Sequence, residues 1–315
     1  GWEMGPEGGG GLLRDPFGRP VNSLRISVTQ RCNFECFFCH REGELNPHGE
    51  LSAEEIVELV EVASALGMRK VKLTGGEPLI RRDIVEIVSG IAPHVDEVSM
   101  TTNGSLLGKF AQDLHEAGLR RANISLHSLD PETFRRITGR DMLNEVVEGV
   151  EAAIESGLEP VKLNMVVLRG LNDGEIPRMI EFSKEHGAIL QLIEFQPVQA
   201  GTGPYWESLH HDLRDIEEML KARSQRVRVR ELQRRRQYYL KGGGVVEIVR
   251  PMHNTEFCRY CTRLRVTSDG RLKPCLMRND NLVDVAPLLR RGGGGDALVE
   301  AFKEAVSRRE PYWRD

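Results

Sequence analysis

Apolar positions along the 315-residue chain switch repeatedly between two periods. Short runs of β-branched and aliphatic residues predict strands, and runs with an apolar residue every third or fourth position predict helices. Leu24 to Val28 (LRISV) reads as the first strand. Ser52 and Glu55 form a capping box that opens a helix carrying Ile56, Val57, Leu59, Val60 and Ala63, and Gly67 ends it. Lys70 to Thr74 is the second strand and runs into Gly75-Gly76-Glu77-Pro78. The alternation continues with a helix over 83–91, a strand over 97–101 stopped by Thr102-Asn103-Gly104, a helix over 106–117 and a strand over 121–126. Pro131 marks a helix start. A helix over 144–156, a strand over 161–168, a helix over 175–185, a strand over 188–195 and a helix over 212–222 complete the series.

Repeated strand-then-helix units predict a parallel sheet with right-handed crossovers. Six units rather than eight predict an α/β fold in which a (βα)6 TIM-like barrel stays incomplete and open on one side. In such sheets ligands gather at the carboxyl ends of the strands. The stretch after the first strand, the Gly-Gly-Glu-Pro turn, Thr101 and Ser125 all fall at strand ends, so several separate segments imply one site. Beyond Lys221 the texture changes. Arg226 to Leu240 is basic and alternating, which predicts antiparallel strands, its arginines reading better as a solvated face than as a nucleic-acid stripe. A turn over Gly242 to Gly244 and a glycine loop over Gly292 to Gly295 precede a last helix over 296–307. The expected organisation is a glycine-rich leader over 1–17, a partial barrel over 18–225 and a C-terminal α+β extension over 226–315.

Composition narrows the class. Hydrophobic residues at 40% and charged residues at 29% suit one large barrel or a domain with a smaller appendage. A net charge of −4 gives no reason to expect nucleic acid or an acidic membrane surface as a partner. No apolar run approaches the roughly 20 residues of a membrane helix. The N-terminus has no charged-then-apolar signal layout, so a cytoplasmic location is expected. The six cysteines fall as two triplets, which in such a chain favours metal over disulfides.

The first triplet lies in Val28 to Glu42, VTQRCNFECFFCHRE, with Cys32, Cys36 and Cys39 spaced C-x3-C-x2-C. Iron–sulfur cubes are held by cysteine sulfur, normally four, so three thiolates leave one iron open to a small molecule. The alternative is structural zinc, which is closed by four ligands and would need His40 as the fourth. The second triplet, Cys258, Cys261 and Cys275, is spaced C-x2-C-x13-C. Here zinc, with His253 as fourth ligand, and an iron–sulfur cluster stand level on ligand rules. Thr262-Arg263-Leu264-Arg265 tips the balance. In an extended stretch Arg263 and Arg265 project to one side, and two guanidiniums beside a cluster suit phosphate groups.

The first triplet, with Phe38 before its third cysteine and the Gly-Gly-Glu-Pro turn one strand away, resembles the radical S-adenosylmethionine (SAM) superfamily. With Thr101-Thr102-Asn103-Gly104, the C-x2-C-T-R-x-R run and the third cysteine after Ser268-Asp269-Gly270, the sequence resembles the GTP 3′,8-cyclases of molybdenum cofactor biosynthesis in their archaeal form, from about Gly18 to Trp313. The resemblance implies two [4Fe–4S] clusters, one on Cys32, Cys36 and Cys39 and one on Cys258, Cys261 and Cys275. It places SAM at Phe38, Gly76, Glu77 and Ser125, and GTP at Arg25, Lys72, Thr101, Lys162, Arg263, Leu264 and Arg265. It also implies an electron donor of flavodoxin or ferredoxin type and a following enzyme, cyclic pyranopterin monophosphate synthase, and it leaves a homodimer open. The sequence departs from bacterial members in four places. Phe38 stands for a frequent tyrosine, Lys72 for an arginine, and Gln196 for a methionine near SAM, so Gln196 is left out of the site. The Gly-Gly ending has no counterpart in Tyr312-Trp313-Arg314-Asp315. Two other readings compete: a radical SAM peptide-modifying enzyme with an auxiliary cluster, and a zinc-binding interaction module.

Overall fold

Strand alternation decides which way each side chain of this protein faces. The computed structural model describes residues 11–197, 203–292 and 294–314. Its strands, in chain order, are β1 (Ser23–Ser27), β2 (Lys70–Thr74), β3 (Glu97–Thr102), β4 (Arg121–Ser125), β5 (Val161–Val167), β6 (Ile189–Glu194), β7 (Ser224–Val229), β8 (Arg236–Leu240), β9 (Val245–Val249), β10 (Arg263–Val266), β11 (Arg271–Lys273) and β12 (Val283–Asp284). They form a single sheet in the order β12-β11-β10-β1-β2-β3-β4-β5-β6-β9-β8-β7. β1 to β6 are the six parallel strands of the incomplete barrel. The C-terminal extension lengthens this sheet at both edges, because β9 pairs parallel with β6 and β10 pairs parallel with β1. Among the described residues, eight strands therefore run side by side in parallel, and β9 and β10 stay unpaired to each other. The chain between them, residues 250–262, carries Cys258 and Cys261. Residues 226–240 form the expected antiparallel pair, β7 with β8.

Local signals set the crossover helices. Ser52 accepts from the Glu55 amide and Glu55 from that of Ser52, so the capping box opens Ala53–Ala65 as its sequence predicts. Its Ile56, Leu59, Val60 and Ala63 are fully buried. The helices Ile84–Ile91, Leu107–Ala117, Leu143–Glu155 and Ile176–Glu185 present the same kind of apolar stripe. They pack on the outward positions of the strands, such as Val71, Leu73, Ala122, Ile124, Leu163, Met165, Leu190 and Leu192. Each of these side chains except Ala122 contributes about 1.5–3 kcal/mol on burial. The C-terminal helix Gly295–Ser307 docks on Ala53–Ala65 and against β11 and β12.

The inward positions of the same strands are polar. Arg25, Lys72, Thr101, Asn123, Ser125, Asn164, Gln191, Arg263 and Arg265 all line a central chamber. The expected glycine-rich leader over 1–17 falls only partly on described residues. Residues 1–10 lie outside the described residues, but Asp15 is buried and accepts from Arg19 Nε at 2.7 Å and from Arg309 Nη1 at 3.0 Å, ion pairs that tie this end into the fold. Among the described residues no helix is long and apolar enough to cross a membrane.

A chamber between two cysteine loops

The chamber at the strand ends has a volume of about 360 Å³, and all six cysteines line it. None is in a disulfide. The N-terminal loop is pinned from both sides. Phe34 N–H donates to Cys32 Sγ and Arg41 N–H to Cys39 Sγ, each at 3.4 Å. Asn103 Nδ2 donates to Asn33 Oδ1 at 2.8 Å, and Asn33 Nδ2 to Ser105 Oγ at 3.0 Å, which ties the loop to the turn after β3. Burial, and then the neighbouring charges of Cys39 and Cys32, push the Cys36 thiol far up. Without a metal these thiols stay protonated. A cluster's iron supplies the positive charge that would let them ionise, and their amide donors suit bound sulfur.

The C-terminal loop is held by a different clamp. Arg19 Nη1 donates to the Cys258 carbonyl at 2.8 Å and Arg309 Nη2 to the Cys261 carbonyl at 2.7 Å, while both guanidiniums pair with Asp15. Trp313 N–H donates to Cys258 Sγ at 3.4 Å. Burial opposes ionisation of Cys261, but Arg309, the Arg263 amide and charge, and Arg19 outweigh it and bring the thiol down to about 7. Asp15, Arg19 and Arg309 carried no motif in the sequence.

Neither histidine considered as a fourth ligand is drawn to its triad. His40 Nδ1 accepts the Glu42 amide at 3.1 Å, and the His253 ring lies 4.1 Å from that of Trp313. Among the described residues no three Cys, His, Asp or Glu side chains are grouped as ligands of one metal ion. A four-iron cube spreads its thiolates over a wider footprint than zinc, whose sulfur bonds are about 2.3 Å. Two open triads of free thiols fit two cubes.

The glycine turn fits tightly under the first loop. Gly76 N–H donates to the Thr29 carbonyl at 2.8 Å and Glu77 N–H to that of Arg31 at 2.8 Å. A Cβ on Gly76 would overlap the Arg31 carbonyl oxygen, backbone that has no room to retreat. Gly76→Ala is therefore expected to cost about 1–3 kcal/mol of stability. It should also leave reconstituted protein with about half of the eight irons that two cubes hold. Full iron and sulfide content in that variant would refute the tight fit.

The residues singled out from sequence divide into two groups. Phe38, Gly76, Ser125, Arg25, Lys72, Thr101, Arg263 and Arg265 line the chamber, as does Gln196, which sequence reasoning set aside. Glu77, Lys162 and Leu264 are not on its wall. Glu77 is fully buried and accepts from Thr102 Oγ1 and Asn103 N, each at 2.6 Å, and from Leu79 N at 3.1 Å. Burial pushes its pKa up to about 7 against those donors. Its oxygens thus bind two turns together rather than facing an ammonium group. Lys162 is buried and donates to Glu247 Oε1 at 3.1 Å. Leu264 is fully buried in the apolar core, because alternation along β10 sends it away from the side of Arg263 and Arg265.

Seven cations line the chamber (Arg19, Arg25, Arg41, Lys72, Arg235, Arg263 and Arg265) against three carboxylates (Glu42, Glu194 and Glu310), a surplus of four. Arg25 grips Glu42 through Nε at 2.9 Å and Nη2 at 2.8 Å, and Arg265 Nη1 reaches the same carboxylate at 2.8 Å. Burial alone would neutralise Glu42, but Arg25 and then Arg265 hold it ionised, well below the usual carboxylate range. Lys72 and Arg263 have no carboxylate partner among the described residues. Burial, with Arg121 and Arg25 beside Lys72 and with Arg25 and Arg265 beside Arg263, depresses both pKa values strongly. Two buried cations without counter-ions are costly, and an anion between them would relieve that cost.

An open α/β barrel with two cysteine triads lining one cationic chamber defines a class: a radical SAM enzyme with an auxiliary cluster. The Radical SAM superfamily profile matches residues 26–183, and the Molybdenum Cofactor Synthesis C profile matches residues 188–314. A "Probable GTP 3′,8-cyclase" of Thermococcus kodakarensis is 52% identical, covering 96% of this chain and 100% of its own. The "Probable GTP 3′,8-cyclase" of Methanothermobacter thermautotrophicus is 50% identical, covering 96% of this chain and 99% of its own. Streptococcus suis SuiB, solved with its precursor peptide SuiA, shares the fold with a TM-score of 0.67 at 18% identity, over 93% of this chain and 67% of SuiB. The chain belongs to the GTP 3′,8-cyclase family of the radical SAM superfamily.

Proposed function

We infer that this chain converts GTP to (8S)-3′,8-cyclo-7,8-dihydroguanosine 5′-triphosphate, the first step of molybdenum cofactor biosynthesis. The observation that carries the reading is one chamber lined by both cysteine triplets, with a positive surplus that matches a triphosphate. When bound, SAM and the cluster on Cys32, Cys36 and Cys39 supply the 5′-deoxyadenosyl radical that opens the reaction at the ribose.

The chain's own residues bind, orient and exclude water. Phe38, Gly76 and Ser125 shape the SAM end, and Glu77 acts there as a positioning residue through Thr102 and Asn103. Cys258, Cys261 and Cys275 would hold the second cluster, which would supply a binding position for the guanine end. Lys72 and Arg263 take the phosphates, together with Arg25 and Arg265, whose two charges are only half balanced by Glu42. Thr101 faces the nucleotide. Leu264 keeps the two arginines on one side by anchoring between them in the core, and Lys162 acts through Glu247. Residues 18–225 supply the SAM half and share the GTP half with residues 226–315. Electrons come from a donor of flavodoxin or ferredoxin type in the cytoplasm, and the product goes to cyclic pyranopterin monophosphate synthase.

Anaerobic incubation of reconstituted protein with SAM, reductant and GTP should yield 5′-deoxyadenosine and a cyclised nucleotide. Arg263→Ala should weaken GTP binding ten- to a hundredfold, since a hydrogen bond to a charged group contributes about 1.5–3 kcal/mol. Iron content should not change. Unaltered GTP affinity in that variant would remove Arg263 from the phosphate site.

A further inference from the structure

Beyond the two ends, the middle of the chamber carries its own signal. The amide oxygens of Asn123 and Asn164 and the hydroxyl of Thr101 are buried with no hydrogen-bond partner among the described residues. Buried polar atoms are nearly always paired, so three orphans in one cavity mark a place where a ligand supplies the partner. All three side chains line the chamber, and they sit on the adjacent strands β3, β4 and β5. Thr101 is paired in register with Asn123, and Asn123 with Lys162. Asn164 lies one step further along the strands, opposite Ser125.

We propose that Asn123 and Asn164, with Thr101, form a sugar subsite that holds the ribose hydroxyls of GTP between the phosphate-binding cations and the SAM end. This rests on the reading of the chain as a GTP cyclase and goes further by naming what recognises the sugar. The orphan atoms include two carbonyl-type acceptors, which call for donors, and a vicinal diol offers two O–H groups on adjacent carbons. Placement agrees. Across the sheet the cations lie on β10, β1 and β2, and the orphans follow on β3 to β5. Neighbouring strands are about 4.8 Å apart and Asn123 is two residues further along than the position level with Lys72, so it stands roughly 12 Å along the wall from Lys72, a span that a triphosphate and the two side chains can bridge. Along β4 the next inward residue is Ser125, at the SAM end. The sugar carbon that must react is thereby held where the two substrates meet. A diol also occurs on the ribose of SAM, so the test separates the two sources.

The experiment is anaerobic equilibrium dialysis of the full-length, cluster-loaded protein with GTP, 2′-deoxy-GTP and SAM, for the native chain and for Asn123→Leu and Asn164→Leu. The native protein should prefer GTP over 2′-deoxy-GTP about tenfold. Each leucine variant should bind GTP about tenfold more weakly, lose that preference and keep its SAM affinity. Ligand-free, each should melt no lower than the native protein, because leucine removes an unsatisfied polar group, whereas a structural asparagine would show a lowered Tm. Should a leucine variant fail to load iron, Asn123→Ser and Asn164→Ser remove the reach of the carboxamide without the apolar bulk, and loss of the GTP preference is expected there too. A retained preference, or a fall in SAM affinity with GTP binding intact, overturns the proposal. A native protein that binds SAM but no GTP overturns the cyclase reading itself, and is told apart because the failure appears before any substitution.

Discussion

Alanine at Cys258 is expected to leave SAM cleavage running while cyclisation of GTP falls below a thousandth, about 4 kcal/mol of transition-state stabilisation. Alanine at Cys32 is expected to abolish both. The asymmetry follows from how the loops are held. The N-terminal loop depends on amides of Phe34 and Arg41 and on Asn103 and Ser105 after β3. The C-terminal loop depends on Arg19, Arg309 and Trp313. These two sets share no residue, so removing one thiol does not unpin the other loop. Cys32 lies near Glu77 and Asn103, at the turns where SAM is proposed to bind, and Cys258 shares its triplet with Cys261, which lies by Arg263. Chromatography of 5′-deoxyadenosine and of the cyclised nucleotide, with iron and sulfide counts, reads both variants at once. Cyclisation at the native rate by the Cys258 variant would sink the two-site assignment.

How much of this was legible in the sequence differs from one element to another. The capping box at Ser52 and the strand at Lys70–Thr74 stand where periodicity and capping put them, because both depend on residues a few positions apart. β9 and β10 were not readable as members of the parallel sheet. Their pairing with β6 and β1 joins segments far apart in the chain, and a short run such as Val245–Val249 carries no mark of its partner. The Asp15–Arg309 pair spans 294 positions and was invisible for the same reason. Residues from the motifs meet around one chamber, but motifs do not say which side chains face it. Glu77 and Lys162 belong to the right turns and strands and are turned to other partners. One signal was available and went unused. Asn123, Asn164, Gln191 and Glu247 are polar residues at alternate positions of strands whose other positions are apolar, and in a barrel filled by side chains those inward positions are normally branched and aliphatic.

Glu247→Gln, at the centre of that polar belt, is expected to destabilise the protein by about 3–5 kcal/mol, the usual result of leaving buried charge unpaired. The fully buried carboxylate takes Lys162 Nζ at 3.1 Å, Arg230 Nη1 at 3.1 Å and Arg235 Nη1 at 3.7 Å. Gln237 donates to it at 2.8 Å, and Gln191 donates as well. Burial works against its charge, yet Lys162, Arg235 and Arg230 together hold its pKa down at about 2. The three cations must share one counter-ion, and Lys162 yields: burial first, with Arg230 and Arg235 added, brings it down to about 7 despite Glu247. The sign of the pH effect follows for the carboxylate. Its folded pKa lies below the ordinary 4.5, so its contribution is full above about pH 4.5 and is lost as pH falls toward 2. The glutamine variant keeps the shape and loses the charge, so it should unfold at lower denaturant at pH 7 and show a flatter acid limb. Lys162→Met in the same chain should recover part of the loss, since one unpaired cation is then removed. Arg235 lines the chamber, so the freed guanidinium would also alter GTP binding. Urea titrations of the single and double variants at pH 7 and pH 4 decide the matter. A glutamine variant as stable as the native chain at both pH values would show that Glu247 does not hold this belt together.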